Sequence, residues 1–330
     1  MKNDFCWVTI GKKAFDEKRL ETLVRYSPRG IRINMGRSEC KWAVDAIETL
    51  VNAGFKQENI FLDIGNNKPR VSVSSDMQIY KGQSIAFSIC SSQQKNVDGA
   101  INNIWFGENV MPDNILELGD GELECKVLER INNTLHLISL SEGTVTNRMS
   151  IGIKGKRYSN FCIEQDEIRI VRQLLNRYSL GLMLSFVEKV DNLIECKSLF
   201  PTATTIIPKI ESLTAYKNAD SLMKYSDFAI LGRGDMALSV GIEKLGVVQK
   251  DLLNKAKQHR CKLIIASGTL ESLSNNNSPS RSEVIDISNS YFEGAQGILL
   301  TNETAAAAFP FKAIDCLYGI IECLESSTQF

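Results

Sequence analysis

The stretch Ala203-Thr204-Thr205-Ile206-Ile207-Pro208-Lys209-Ile210-Glu211 decides the fold, because an apolar run, 203–207, gives way there to polar and charged residues. The same cadence recurs downstream. The run 228–231 passes into Gly232-Arg233-Gly234-Asp235, 263–266 into Ser267-Gly268-Thr269, and 297–300 into Thr301-Asn302-Glu303-Thr304. Each is followed by a helix-like stretch. Short apolar runs alternating with helices mark buried parallel strands in successive βα units. When such units close into a barrel, every strand delivers its last residues to one rim, where active sites of that architecture sit.

Upstream, 5–10, 30–35 and 60–63 read as strands, with helices over 14–26 and 39–53. An amphipathic helix over 164–178, with Ile168, Val171, Leu174 and Leu175 on one face, leads into a fourth strand at 182–185. Further helices are expected over 189–200, 212–224, 241–259, 280–292 and 311–325. From 71 to 153 the rhythm breaks into short alternating runs with turn signals (Lys81-Gly82, Gly119-Asp120-Gly121, Asn132-Asn133) and no convincing helix. The expected class is α/β: a (β/α)8 TIM barrel over 1–70 and 155–330, with a small all-β domain, 71–154, inserted after the third strand.

Composition agrees with an ordinary globular chain. It has 330 residues, 43% hydrophobic and 23% charged, which excludes a disordered or collagen-like protein. A formal net charge of -1 gives no global attraction to nucleic acid or acidic membranes. No apolar run approaches the roughly 18 residues that span a bilayer, and the start, Met-Lys-Asn-Asp-Phe-Cys-Trp, lacks a signal-peptide core. Nine scattered cysteines without a CxxC pair fit reduced thiols in a cytoplasmic protein. With only His136 and His259, a His-rich zinc site is not expected.

The motifs resemble those of the pyruvate kinase family, in order and at similar spacing. Ile206-Ile207-Pro208-Lys209-Ile210-Glu211, Gly232-Arg233-Gly234-Asp235, Pro279-Ser280-Arg281-Ser282-Glu283 and Leu300-Thr301-Asn302-Glu303-Thr304-Ala305 carry the likeness in the second half. Gly30-Ile31-Arg32-Ile33-Asn34, the stretch 63–70, and Asp120-Gly121 carry it in the first. The family also has a C-terminal regulatory domain, for which no sequence remains after Phe330, so the chain is expected to be a divergent short form.

The resemblance implies phosphoryl transfer from phosphoenolpyruvate to ADP, giving pyruvate and ATP. Charge neutralisation supplies most of the catalysis in such a reaction. Glu211 and Asp235 are then the ligands of Mg²⁺ or Mn²⁺, as hard carboxylate oxygens suit those ions. Lys209, on the same strand face as Glu211, would lie beside the transferring phosphoryl group; its alternative is a plain ion pair with Glu211. Arg32 matches the phosphate-binding arginine, Ser185 and Phe186 the pocket lining, and Gly234-Asp235 a helix start that can hold an anion. Ser267 stands where the family has a proton-delivering threonine; it keeps the hydroxyl and loses the methyl that fixes the rotamer.

The chain departs from the family twice more. Asn34 and Asp63 keep their places in the K⁺ site, but Gly36 and Ile64 replace its hydroxyls, and Lys68 stands where K⁺-dependent members have Glu. A fixed ammonium can replace the ion, so no K⁺ requirement is expected; an ordinary solvated lysine is the alternative. On the nucleotide side Arg70, Asp120 and Thr9 keep their matches and Arg37 takes a histidine's place, while the lid-domain lysine has no clear counterpart, though Lys154, Lys156 and Arg157 are near.

Three functions remain open: the kinase; a metal-dependent lyase or transferase acting on an enolate or oxaloacetate-like acid without ADP; and a non-catalytic scaffold. Each implies a small-molecule partner or a protein, and none implies nucleic acid or membrane. The oligomeric state is open, a homo-oligomer included.

Overall fold

In a computed structural model, residues 2–36, 40–65, 68–89, 97–119, 122–155, 161–274 and 276–326 are described. The chain divides into two compact units, Met1–Asn66 with Phe161–Phe330, and Asn67–Asn160.

In the first unit the apolar runs become eight parallel strands: β1 (Cys6–Ile10), β2 (Gly30–Asn34), β3 (Ile60–Ile64), β4 (Gly181–Leu184), β5 (Ile206–Ile210), β6 (Phe228–Gly232), β7 (Lys262–Ala266) and β8 (Gly297–Leu300). They pair in sequence order, and β8 closes on β1, making a barrel. Strand residues alternate between two faces. One face packs against helices such as Glu17–Tyr26, Cys40–Asn52, Gln165–Arg177 and Leu245–His259, whose apolar stripes share its core. Each side chain buried there contributes about 1.5–3 kcal/mol.

The other face points into the barrel. Its main layer is Trp7, Phe61, Met183, Ile207, Ile230, Ile264 and Leu299, one from each of seven strands. The eighth strand, β2, gives Gly30, whose absent side chain makes room for the indole: a Cβ there would lie 2.3 Å from Trp7 Cε3. That layer fixes the site. Two residues further along each strand, the same inward face carries Thr9, Arg32, Asp63, Ser185, Lys209, Gly232, Ala266 and Thr301. The polar rim follows from the pleat.

Some boundaries differ from the sequence reading. The fifth strand is Ile206–Ile210 and not 203–207, so Lys209 lies inside the strand. A lysine reads as the end of an apolar run, but here its charge is paired and it remains buried. The helix expected over 212–224 is broken into Leu213–Lys217 and Ala219–Tyr225 at Asn218, whose side-chain amide donates to the Glu188 carbonyl at 2.7 Å. The one expected from 241 begins at Leu245, because Gly241 has φ +92 and a 3-10 turn, Ile242–Lys244, intervenes.

The second unit is a closed seven-stranded barrel in the order Thr134–Ser139, Ser84–Ser88, Gly99–Ile101, Arg70–Ser72, Met149–Ile153, Ile115–Leu118, Leu123–Ile131. Alternating burial along these strands builds its own core around Phe87, Phe106, Leu116, Val127, Leu135 and Ile151. It also holds a helix the sequence did not announce, Ile104–Asn109, started by the Asn103 side chain accepting from the Phe106 N–H at 2.8 Å.

Candidate active site at the barrel rim

At the carboxyl ends of β1 to β5 the inward polar residues form one connected network. Lys209 Nζ donates to Ser185 Oγ at 2.9 Å and pairs with Glu211 Oε1 at 2.9 Å and Asp63 Oδ2 at 3.2 Å. Ser185 Oγ donates in turn to Asp63 Oδ1 at 2.8 Å. Arg32 Nε donates to Asp63 Oδ2 at 2.6 Å and Arg32 Nη1 to Thr9 Oγ1 at 3.1 Å. Lys209 is 5% exposed, Glu211 4% and Asp63 fully buried, so these charges act on each other with little screening.

Burial and pairing pull in opposite directions. Burial alone would lower the Lys209 ammonium, but Asp63 and Glu211 outweigh it and hold the ammonium above its ordinary value. Burial would raise Asp63, but Lys209 and Arg32 keep its carboxyl below the usual carboxylate range. For Glu211 burial wins: it pushes the carboxyl up, Asp235 and Asp63 add to the push, and Lys209 only partly offsets it.

Glu211 is held from two further sides. The Phe186 N–H donates to its Oε2 at 3.2 Å, with Phe186 in the left-handed region at φ +55. Gly232 leaves the space the carboxylate occupies: a Cβ there would lie 2.5 Å from Glu211 Oε1. Asp235 stands in the first turn of the helix Arg233–Val240, close enough for its charge to bear on Glu211. A Cβ on Gly234 would lie 4.0 Å from Ser267 Cβ, so the residue after β7 adjoins that helix start. Ser267 has φ +76, an uncommon conformation for a side chain with a Cβ.

Of the residues nominated from sequence, Arg32, Asp63, Ser185, Phe186, Lys209, Glu211 and Asp235 thus interact with one another, with Gly234 and Ser267 alongside Asp235. Asn34 is the register partner of Asp63, and its Oδ1 is buried with no hydrogen-bond partner among the described residues. Thr9, nominated for the nucleotide, is 3% exposed and accepts from Arg32, placing it within the same hydrogen-bonded network. Arg70 belongs to the second unit, where its Nη1 donates to the Arg148 carbonyl at 3.0 Å; Lys68 lies in that unit too. Arg37 and Asp120 lie outside the described residues.

Sequence reasoning missed other parts. Glu303, 1% exposed, accepts from Thr269 Oγ1 and from Thr301 N and Oγ1, each at 2.9 Å, tying the turn after β7 to the end of β8. Glu167 accepts from the Gly65 N–H at 3.1 Å, just past β3. A signal for it was readable: Glu167 precedes Val171 by four and Leu174 by seven, which puts a carboxylate on the apolar face of its helix.

The fold and the rim define the class: a (β/α)8 barrel at whose strand ends Arg32 and Lys209 lie among Asp63, Glu211 and Asp235. The family model described as pyruvate kinase, barrel domain, matches residues 2–314, and the chain belongs to that family. It is 24% identical to the pyruvate kinase of Sporosarcina psychrophila over 98% of this chain and 57% of that protein. The pyruvate kinase of Thermotoga maritima is 24% identical over 98% of this chain and 71% of its own length. A crystal structure of Cryptosporidium parvum pyruvate kinase superposes with TM-score 0.88 at 22% identity, covering 98% of this chain and 71% of that one. The chain therefore spans little more than half the length of the first of these relatives. No helix among the described residues is long and apolar enough to cross a membrane.

Proposed function

We propose that the chain transfers the phosphoryl group of phosphoenolpyruvate to ADP, in the cytoplasm, with a divalent cation and without K⁺. The observation that carries this reading is the buried Lys209 ammonium, held at one mouth by Ser185, Asp63 and Glu211 with Arg32 beside it.

Mg²⁺ or Mn²⁺ fits the donors present. Glu211, raised by burial and then by the charge of Asp235, and Asp235 itself are hard oxygen donors that would hold such an ion. Mg²⁺ keeps water and substrate oxygens in its shell, so one or two carboxylates would suffice to hold it. When bound, the ion supplies Lewis-acid charge to phosphoryl and enol oxygens.

The chain's own residues do the rest. Arg32 binds the phosphoryl oxygens with its guanidinium fixed by Asp63 and Thr9. Lys209 remains protonated and offsets the negative charge of the phosphoryl group as its bond to the enol oxygen breaks and one to a terminal ADP oxygen forms. The N–H groups opening the helix Arg233–Val240 hold the substrate carboxylate. The Ser267 hydroxyl passes a proton, replaced from solvent, to the methylene carbon of the enolate. Asp63, Glu211 and Asp235 lie beside Arg32 and Lys209, so a bound divalent ion would add to the positive charge available to an anionic substrate.

A second reading has an observation of its own. Thr9 is engaged by Arg32, which takes one nominated residue from the nucleotide side while leaving the enolate side intact. A metal-dependent lyase or transferase acting on an oxaloacetate-like acid would use that half alone. The test is a coupled assay for ATP formation with Mn²⁺ and no K⁺. Turnover that K⁺ does not raise supports the kinase; silence with ADP, together with Mn²⁺-dependent pyruvate release from oxaloacetate, supports the second reading.

A further inference from the structure

The arginine between Gly232 and Gly234 has no role in the chemistry above, yet its contacts run directly beneath it. Arg233 is 8% exposed and opens the helix that carries Asp235 two residues on. Its Nε donates to the Ser267 carbonyl and its Nη2 to the Gly268 carbonyl, both at 2.9 Å. Those two residues are consecutive in the left-handed region, at φ +76 and +65. One planar fork donates to both carbonyls, a geometry that Arg offers and Lys does not. The third edge is anchored from outside the rim: Nη1 pairs with Asp286 Oδ2 at 2.7 Å and reaches Gln249 Oε1 at 3.4 Å. Gln249 Nε2 is itself fixed by Ser290 Oγ at 3.1 Å.

A serine at positive φ needs its surroundings to hold it, and a hydroxyl that delivers a proton needs one position. We propose that Arg233 is a positioning residue that, braced by Asp286, holds Ser267 in its left-handed conformation and so sets the hydroxyl above the Gly234-Asp235 turn. This rests on the reading that Ser267 serves protonation of the enolate.

The test uses the full chain. Arg233→Lys keeps the charge and loses the fork; Asp286→Ala removes the brace, at a partly exposed position that leaves the barrel core untouched. With phosphoenolpyruvate, ADP and Mn²⁺, each lowers kcat at least about tenfold while KM stays within about threefold. The double variant Arg233→Lys with Ser267→Ala is then no slower than Ser267→Ala alone, since a residue acting through Ser267 has nothing further to lose. Additive losses, or a change confined to KM, overturn the proposal. A second readout needs no substrate: the backbone carbon-13 shifts of Ser267 and Gly268, which report their left-handed φ, move in both variants, with those of β7 unchanged. Unchanged shifts at Ser267 and Gly268 overturn it as well. If the wild type forms no pyruvate, the functional reading fails, and the shift result alone decides whether Arg233 holds the turn.

Discussion

Replacing Glu167 by Gln should stabilise the protein at pH 8 and leave it nearly unchanged at pH 5. Glu167 lies in the first turn of Gln165–Arg177 and accepts the Gly65 N–H at the end of β3. Burial, then the charges of Asp63 and Glu164, push its carboxyl from 4.5 up to about 7, with the Gly65 hydrogen bond pulling the other way. Cys196, on the helix Val190–Leu199, also feels its charge. A folded-state value raised above the unfolded one favours folding fully below pH 4.5, and that benefit is lost as pH rises through about 7. At about 1.4 kcal/mol for each tenfold change, the loss approaches about 3 kcal/mol, a sizeable part of a net stability of roughly 5–15 kcal/mol. Glutamine accepts the same N–H and carries no charge at any pH. Thermal melts of wild type and Glu167→Gln at pH 5 and pH 8 therefore diverge: between the two conditions the wild type loses about 5 °C more than the variant. Parallel pH profiles with a constant offset would refute the reasoning.

Lys209→Met should lower turnover on the order of 10²–10³-fold. It should also destabilise the metal-free protein at neutral pH by about 3–5 kcal/mol, because Glu211 and Asp63 lose a buried counter-charge. Mg²⁺ should restore part of that stability, and a melt unaffected by Mg²⁺ would count against a divalent ion at Glu211. Gly30→Ala should cost about 1–3 kcal/mol in urea unfolding, since its Cβ would overlap the Trp7 ring and the strand cannot move away. Gly232→Ala should weaken Mn²⁺ binding about tenfold or more, because the new methyl occupies the Glu211 carboxylate's place; a calorimetric titration that matches wild type would exclude a metal role for Glu211.

Much of this site could be read from sequence, for one physical reason. Buried parallel strands cannot hide their pattern, so 228–231, 263–266 and 297–300 pointed to strands that occur as Phe228–Gly232, Lys262–Ala266 and Gly297–Leu300. The residues at their ends, and Lys209 with Glu211 two apart, then had to face the same rim. Tertiary effects were less visible. Pro208-Lys209-Ile210 looked like the end of a strand because pairing with Asp63 and Glu211, which makes Lys209 apolar in effect, comes from distant parts of the chain. Asn218 looked like an ordinary helix residue until its bond to Glu188 broke the helix. Arg233 read as part of a motif, and only the approach of the Ser267-Gly268 turn gives its guanidinium a task. That Thr9 faces Arg32 follows from the pairing of β1 with β2, which residues twenty-odd positions apart do not announce.

The proposed reaction requires Glu211 and Asp235 to hold a divalent ion, with Lys209 beside them, where an enolate would bind. Water-proton relaxation with Mn²⁺ tests this, with oxalate as an enolate mimic, in wild type and Glu211→Gln. The wild type should bind Mn²⁺, oxalate should tighten that binding, and Glu211→Gln should weaken it at least about tenfold. Equal Mn²⁺ binding by the two proteins, indifferent to oxalate, would contradict the account.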